Sequence, residues 1–168
     1  MTKPSPPADP PSGGAYTVPT GLDANYKARV CATVRDFVVI GCLSGNSFGI
    51  RWCAIGDPTD WPTPATDDAR AKQAGEQSFP SRLGPVTGIA GNDFYMYVFQ
   101  TNAISKGTYV GGDVVFSFDS FEEGRGCVRQ GMMAQIDDMI IFESDRGRHI
   151  LVNDEITDIG YGKTDDSY

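Results

Sequence analysis

The side chains best suited to chemistry in this 168-residue chain are its aspartates. Asp36, Asp93, Asp137 and Asp138 could supply paired carboxylates for general acid and general base roles, as in cleavage of a glycan. All four fall in short breaks between apolar runs, where Asp is favoured because its side chain bonds backbone amides. A turn role therefore accounts for them without catalysis. His149 is the only histidine, with no nearby cysteine and no acid or nucleophile partner evident along the sequence, and it reads as a packed or exposed ring. The four cysteines, at 31, 42, 53 and 127, form no Cys-x-x-Cys pair, which argues against zinc. Cys31, Cys42 and Cys53 lie eleven residues apart in consecutive apolar runs and are expected as small buried thiols on adjacent strands. In a protein made in the cytoplasm they would stay reduced. Asp113, Asp119 and Asp145 lack the Asp-x-Asp-x-Asp-Gly spacing of a calcium loop. No nucleophile elbow, phosphate loop or metal-binding helix is present, so the expectation is no catalytic residue, no cofactor and no metal.

The elements that position these residues read as nearly all β. Runs at Val30 to Val34, Asp36 to Cys42 and Phe48 to Ala54 are rich in Val, Ile, Phe and Cys, and turn residues such as Ser44-Gly45-Asn46 separate them. A second set covers Val86 to Ala90, Phe94 to Gln100, Ile104 to Val110 and Val114 to Phe118. A third covers Gly131 to Ile136, Met139 to Ser144 and Arg148 to Val152. Between the first two sets, Ala65 to Gln77 is polar and alanine-rich. Thr66 or Asp67 could cap a short helix there that Gly75 ends, and a surface loop fits equally well.

Overlaid, the three sets form a weak repeat of strand, Asp-containing turn and more apolar strand. Asp36, Asp93 and Asp138 mark it at spacings of 57 and 45 residues, which bracket the period of propeller blades, roughly 40–50 residues. The expected domain spans 28–162, with blade-like units at 28–64, 84–120 and 127–160, as a partial propeller or a sandwich-like stack. Three blades do not close a ring, since propellers use about four to eight. Sheet edges must then be covered by wrapping or by another chain.

Composition sets the outer bounds. Six of the eleven prolines lie before residue 21, so residues 1–27 read as a proline-rich extended arm, either a loose tail or a segment ordered against a neighbouring subunit; 163–168 form a short tail. That arm holds no apolar stretch long enough for a secretory signal, and no membrane anchor is expected. The net charge of −8, with no two adjacent Lys or Arg, argues against a surface that tracks phosphates. A solvated acidic face explains it, as does a lumen past which DNA slides without sticking, and charge does not choose between them.

Both tryptophans bracket one turn, Trp52-Cys53-Ala54-Ile55-Gly56-Asp57-Pro58-Thr59-Asp60-Trp61. Asp57 and Pro58 suit the first two positions of a type I turn, so the preceding strand ends near Trp52. This segment, followed by Gly84-Pro85-Val86-Thr87-Gly88-Ile89-Ala90-Gly91, Val98-Phe99-Gln100-Thr101-Asn102-Ala103-Ile104, Gly124-Arg125-Gly126-Cys127 and Ile140-Ile141-Phe142-Glu143-Ser144-Asp145-Arg146-Gly147, resembles a family of bacteriophage virion proteins. They are the β-propeller tail-hub or nozzle proteins of short-tailed phages, also described as packaged-DNA stabilisation or head-closure proteins, with related tail components. The resemblance extends over roughly residues 28 to 160. Family members are several times longer, and the proline-rich arm has no counterpart among them; both departures favour an obligate oligomer.

The resemblance implies a non-enzymatic structural protein of the virion, assembled in the host cytoplasm and sited in the tail or neck. It implies a homo-oligomeric ring, in a multiple of three or six, that contacts other tail, adaptor or portal proteins while packaged DNA passes without specific binding. The residues singled out are then architectural. Trp52 and Trp61 would pack the loop that Asp57 and Pro58 turn, and Gly124 and Gly126 would permit a tight or positive-φ turn around Arg125. Arg125 would pair within its own loop, which holds Glu122 and Glu123, more readily than across a subunit boundary. The alternative is a carbohydrate- or host-receptor-binding β module with Tyr95, Tyr97 and Tyr109 stacking on sugar rings. Tyr95 and Tyr97 share one strand face and Phe94, Met96 and Val98 the other, so a buried inner strand explains them more simply. A propeller-type glycan-degrading enzyme is the third reading.

Overall fold

Apolar side chains on both faces of the middle strands demand cover on both sides, and the fold supplies it by stacking three sheets. The computed structural model describes residues 2, 19–23 and 26–159. Most of the proline-rich arm and the tail 163–168 lie outside the described residues. The first sheet holds β1 (Val30–Val34), β2 (Phe37–Leu43), β3 (Asn46–Trp52) and β4 (Gly75–Ser78). The second holds β5 (Val86–Gly91), β6 (Tyr95–Gln100), β7 (Ala103–Gly111) and β8 (Val115–Glu123), and the third β9 (Met133–Ile136), β10 (Met139–Ser144), β11 (Gly147–Val152) and β12 (Glu155–Ile159). Each sheet is a four-stranded antiparallel meander in which every strand pairs with its neighbours in sequence, the pattern of a blade. The sheets do not close into a barrel.

The middle sheet is covered on both faces. Met96 and Val98 on one face join Phe37, Val39, Ile50 and Trp52 of the first sheet in one core. Tyr97 and Phe99, one residue out of phase, join Ile140, Phe142 and Leu151 of the third sheet in another. Phe116 meets Phe37 and Trp52 edge-on, both at 5.3 Å between ring centroids, and Phe99 meets Phe142 at 5.0 Å. Each such fully buried ring contributes roughly 1.5–3 kcal/mol by burial. Ten strands coincide with the runs read from the sequence to within a few residues.

Two further strands, β4 and β12, were not legible as runs. Both are polar edge strands, Gly-Glu-Gln-Ser with alternating exposure and Glu-Ile-Thr-Asp-Ile exposed at every residue but Ile156. The short helix is present as α1 (Asp67–Ala71), capped by the Thr66 hydroxyl accepting from the Ala69 amide at 3.2 Å. It ends before Lys72, however, and Gly75 opens β4 instead of closing the helix. A β-carbon at Gly75 would stand 2.6 Å from Trp52, so this glycine lets β4 lie against the indole. Cys31 corrects a second expectation. It is exposed, because β1 is an edge strand and Cys31 points away from the middle sheet, whereas Cys42, Cys53 and Cys127 are buried and all four thiols are free.

Candidate functional site

The two ends of the stack differ. At the first sheet, the outward set of β2 and β3 includes Ile40 and Arg51, which are register partners. Arg51 is 1% exposed. Its guanidinium donates to the carbonyls of Gly21, Trp61 and Pro62 at 3.2, 2.9 and 2.8 Å and lies 4.0 Å from the Tyr26 ring. Burial holds its pKa below the ordinary arginine value. Residues 20 and 59–61 are laced together by Thr20 and Trp61 amides donating to Thr59 and Thr20 carbonyls, each at 2.9 Å. The chain thus covers this end itself.

The tryptophan segment forms much of that cover. Trp52 faces inward and donates its indole N–H to the Gln73 carbonyl at 3.0 Å, while Trp61, 2% exposed, donates to the Pro58 carbonyl at 2.8 Å. Asp57 and Pro58 take the first two positions of a turn closed by the Asp60 amide on the Asp57 carbonyl. The Asp57 carboxylate accepts from the Thr59 hydroxyl and amide at 2.7 and 2.9 Å, which holds its pKa below the ordinary value. Lys72 bridges Asp60 and Asp68, and those contacts raise its pKa.

At the third sheet nothing among the described residues provides such cover. Strand register directs Phe142, His149 and Leu151 toward the middle sheet and Ile141 and Ile150, which are partners, outward. Ala134 beside Ile141, Thr157 beside Ile150, and the Ile136–Met139 pair extend the outward face. Ile136 is 54% exposed, Ile159 40% and Val152 37%. A depression of about 200 Å³ opens between Ala134, Ile141, Glu143 and Arg148.

A polar chain runs along the inner side of this sheet, from buried Ser144 and His149 to half-exposed Asp158. The Ser144 hydroxyl lies 2.6 Å from His149 Nε2, and His149 Nδ1 lies 2.6 Å from Asp158 Oδ1. The Asp158 carboxylate only accepts, so Nδ1–H faces it, and in the neutral ring Nε2 then accepts from the Ser144 hydroxyl, whose oxygen also accepts from the Arg146 amide at 3.0 Å. Nucleophile, base and acid are thereby in hydrolase order. Ser144 is only 5% exposed and His149 2%, with the imidazole packed 5.1 Å from Phe142, so the hydroxyl is walled off from a substrate. Arg125 continues the chain, donating to Asp158 at 3.1 Å and to Glu122 at 3.2 Å. Gly124 has φ +84°, and a β-carbon on Gly126 would stand 2.0 Å from the Gln100 carbonyl, so both glycines are needed to bring Arg125 in. Ser144 and Asp158 were missed in the sequence because the partnership depends on β12.

The remaining candidates have structural surroundings. Asp36, Asp93, Asp137 and Asp138 occupy three hairpin turns set side by side. The Arg35 amide donates to the Asn92 carbonyl, and the Asn92 side chain to Asp138, at 3.2 and 3.3 Å. The sequence repeat is therefore also a row in space. Tyr97 is buried and donates to Asp154, which Lys106 grips at 2.7 Å; burial pushes the phenol pKa up, and the Lys106 contact pulls the carboxyl down. Tyr95 lies under Lys106, and Tyr109 packs on Phe37 and Phe116 beneath Arg35. Asp113 and Asp145 sit on separate turns and Asp119 on β8, and among the described residues no three His, Cys, Asp or Glu gather where they could hold a metal ion. No helix among them is long and apolar enough to cross a membrane.

Compared with models of known protein families the sequence matches none, and no curated protein matches it significantly.

Proposed function

We propose that this chain is a non-enzymatic structural subunit that works by joining copies of itself into a ring, as a hub, nozzle or neck component of a phage tail. The observation that carries the self-assembling part is the apolar outer face of the third sheet, which no described residue covers. Ile136 and Val152 are exposed and Ile141 and Ile150 half-buried on this face, and such patches mark contact surfaces. The three blade-like meanders support the propeller aspect. The placement in a phage tail rests on the sequence resemblance. The row of turns bearing Asp36, Asp93, Asp137 and Asp138 runs along one side of the stack, across all three sheets, and with Arg35 as the cation paired to Asp36 it carries a net negative charge, suited to a passage that repels a polyanion.

The test is the mass of the purified protein in solution joined to electron microscopy of the particles it forms. Rings are the expected result, and a monomer at all concentrations counts against the proposal. Glycan cleavage by the isolated chain, abolished by Asp93→Asn or Asp138→Asn, would overturn the non-enzymatic part.

A further inference from the structure

The most exposed large apolar side chains among the described residues are Phe94 at 70%, Val114 at 63% and Val110 at 56%, and all three stand at one hairpin tip. Strands β7 and β8 run past Tyr95, the first residue of β6, to a turn at Gly111-Gly112-Asp113-Val114. The Tyr109 amide donates to the Phe94 carbonyl at 2.9 Å, which sets Phe94 beside the tip. Val115 holds φ +63°, a value rare for a β-branched residue, and the kink puts Val115 in the core while Val114 faces water. A depression of about 470 Å³, with Asp113 and Val114 on one side and Ala69 and Arg70 on the other, leaves the tip standing clear of α1. The tip thus presents valines around one exposed carboxylate, Asp113.

On the opposite side of the stack, where β2 turns into β3 and the chain enters β5, a cavity of about 620 Å³ has the complementary make-up. Leu43 and Pro85 give it apolar walls, Ser44 a hydroxyl, and Lys27 and Arg29 its charges. The Ser44 amide donates to the Lys27 carbonyl at 2.9 Å and the Arg29 amide to the Gly41 carbonyl at 3.1 Å, so the backbone of both cations is fixed to the first sheet. No described carboxylate lines this cavity, in a chain of net charge −8. Two cations beside apolar walls suit an acidic, apolar knob, and the tip at Asp113 is one.

We infer that the hairpin tip at 110–114 of one copy seats in the Lys27 and Arg29 cavity of the next, so that copies join head to tail along the strand direction. This rests on reading the chain as a self-assembling subunit and names the surfaces that propagate the assembly. Each copy that joins leaves one tip and one cavity free, and a fixed turn per copy closes the series into a ring. Three sheets about 10 Å apart, each of four strands about 4.8 Å apart, give a side of the stack a cross-section of roughly 550 Å². Two such sides together bury on the order of 1,000 Å², enough for a specific contact that forms with concentration. The row of turns at 36, 93 and 137–138 follows the β1, β5 and β9 margin of its side and stays at the rim of the contact.

Sedimentation equilibrium of the full chain over a wide concentration range, at low and high salt, tests the contact. The wild type is expected to associate beyond a dimer, and more weakly in roughly 1 M salt, where charges are screened within about 3 Å. Asp113→Lys should weaken association about tenfold or more at low salt, and so should Lys27→Glu joined to Arg29→Glu. All three residues are exposed, so the far-ultraviolet spectrum and melt should not change. The three reversals combined in one chain should restore most of the loss, because the altered tip then meets an altered cavity. In a Cys31→Ser background, which removes the exposed thiol, an equimolar mixture of Val114→Cys and Ser44→Cys chains should oxidise to a mixed disulfide faster than either chain links to itself. Association that every reversal leaves intact would overturn the inference while sparing the self-assembly reading. Loss with Asp113→Lys that the combined reversals do not restore, and no mixed disulfide, would give the tip a different partner and overturn it too. Uptake of inorganic phosphate in calorimetry, lost with Lys27→Glu and Arg29→Glu while association persists, would make the cavity a small-anion site instead. A wild type that stays monomeric throughout would sink both readings.

Discussion

The outer faces of the first and third sheets are built from similar meanders and meet opposite fates. The first carries a charged residue at its centre and is covered; the third carries aliphatic residues that no described residue covers. Hydrophobicity alone would have put the cover on the other face. What decides is backbone supply: residues 20–22 and 61–62 present carbonyls over the first sheet, and a guanidinium, with donors spread in a plane, satisfies three of them at once. Arg51 is thus the fastening of a cover rather than a stray buried charge. The third sheet ends in β12, after which no described segment folds back.

The largest expected effect follows from that fastening. Arg51→Met keeps much of the volume but strips the donors from three carbonyls, and should cost about 3 kcal/mol or more in denaturant unfolding. A loss below about 1 kcal/mol would mean that Trp61 and the Thr20–Thr59 pairing hold the cover without it. The inner side of the third sheet comes next. Ser144→Ala leaves His149 Nε2 without its partner in a buried place and should cost about 1–2 kcal/mol. That cost, measured with no change in any hydrolytic activity, would separate a structural chain from a catalytic one.

How much of this contrast was legible beforehand follows from the same physics. Strand positions in the middle sheet could be read because both of their faces are apolar, and the Asp-marked repeat could be read because Asp recurs in the first hairpin turn of each unit although the turns differ in length. The turn at Asp57 and Pro58 was legible from residue type alone, since local hydrogen bonds determine it. Arg51 was not, because an arginine inside a strand ordinarily points to water, and only the arrival of a distant segment changes that. The bare face escaped notice for the opposite reason. Ile141 and Ile150 look like core residues in sequence, and only the order of the stack shows that no described sheet lies beyond them. His149 seemed to lack partners because one of them, Asp158, sits on a polar edge strand without an apolar signature.

A smaller effect tests how the bare-faced sheet is tethered to the middle one. Asp154, in the turn between β11 and β12, reaches Lys106 of β7 and Tyr97 of β6. Its carboxyl pKa in the folded protein lies below the ordinary 3.8, chiefly through Lys106, so ionised Asp154 favours the folded state. That contribution is present above the ordinary value and is lost as pH falls through the lowered native one, in acid below about pH 4. Because the carboxylate is half exposed, the effect should be about 0.5 kcal/mol or less. Asp154→Asn should flatten that part of the acid limb of a stability–pH profile; an unchanged limb would show that the tether contributes nothing in solution.

The smallest effect is the most discriminating between the two faces. Ile150→Thr alters a half-buried outward side chain that touches no described cover, so in dilute protein its unfolding free energy should stay within about 0.5 kcal/mol of wild type. Concentration should then separate the two proteins. Anything that binds only the folded state raises apparent stability by mass action, so the wild-type midpoint should climb with protein concentration as copies pair, while that of Ile150→Thr should climb less. A substitution at Arg51 should lower the midpoint equally at every concentration, because its partners belong to the same chain. Parallel concentration series for the two variants therefore measure which face is completed within one molecule and which only between two.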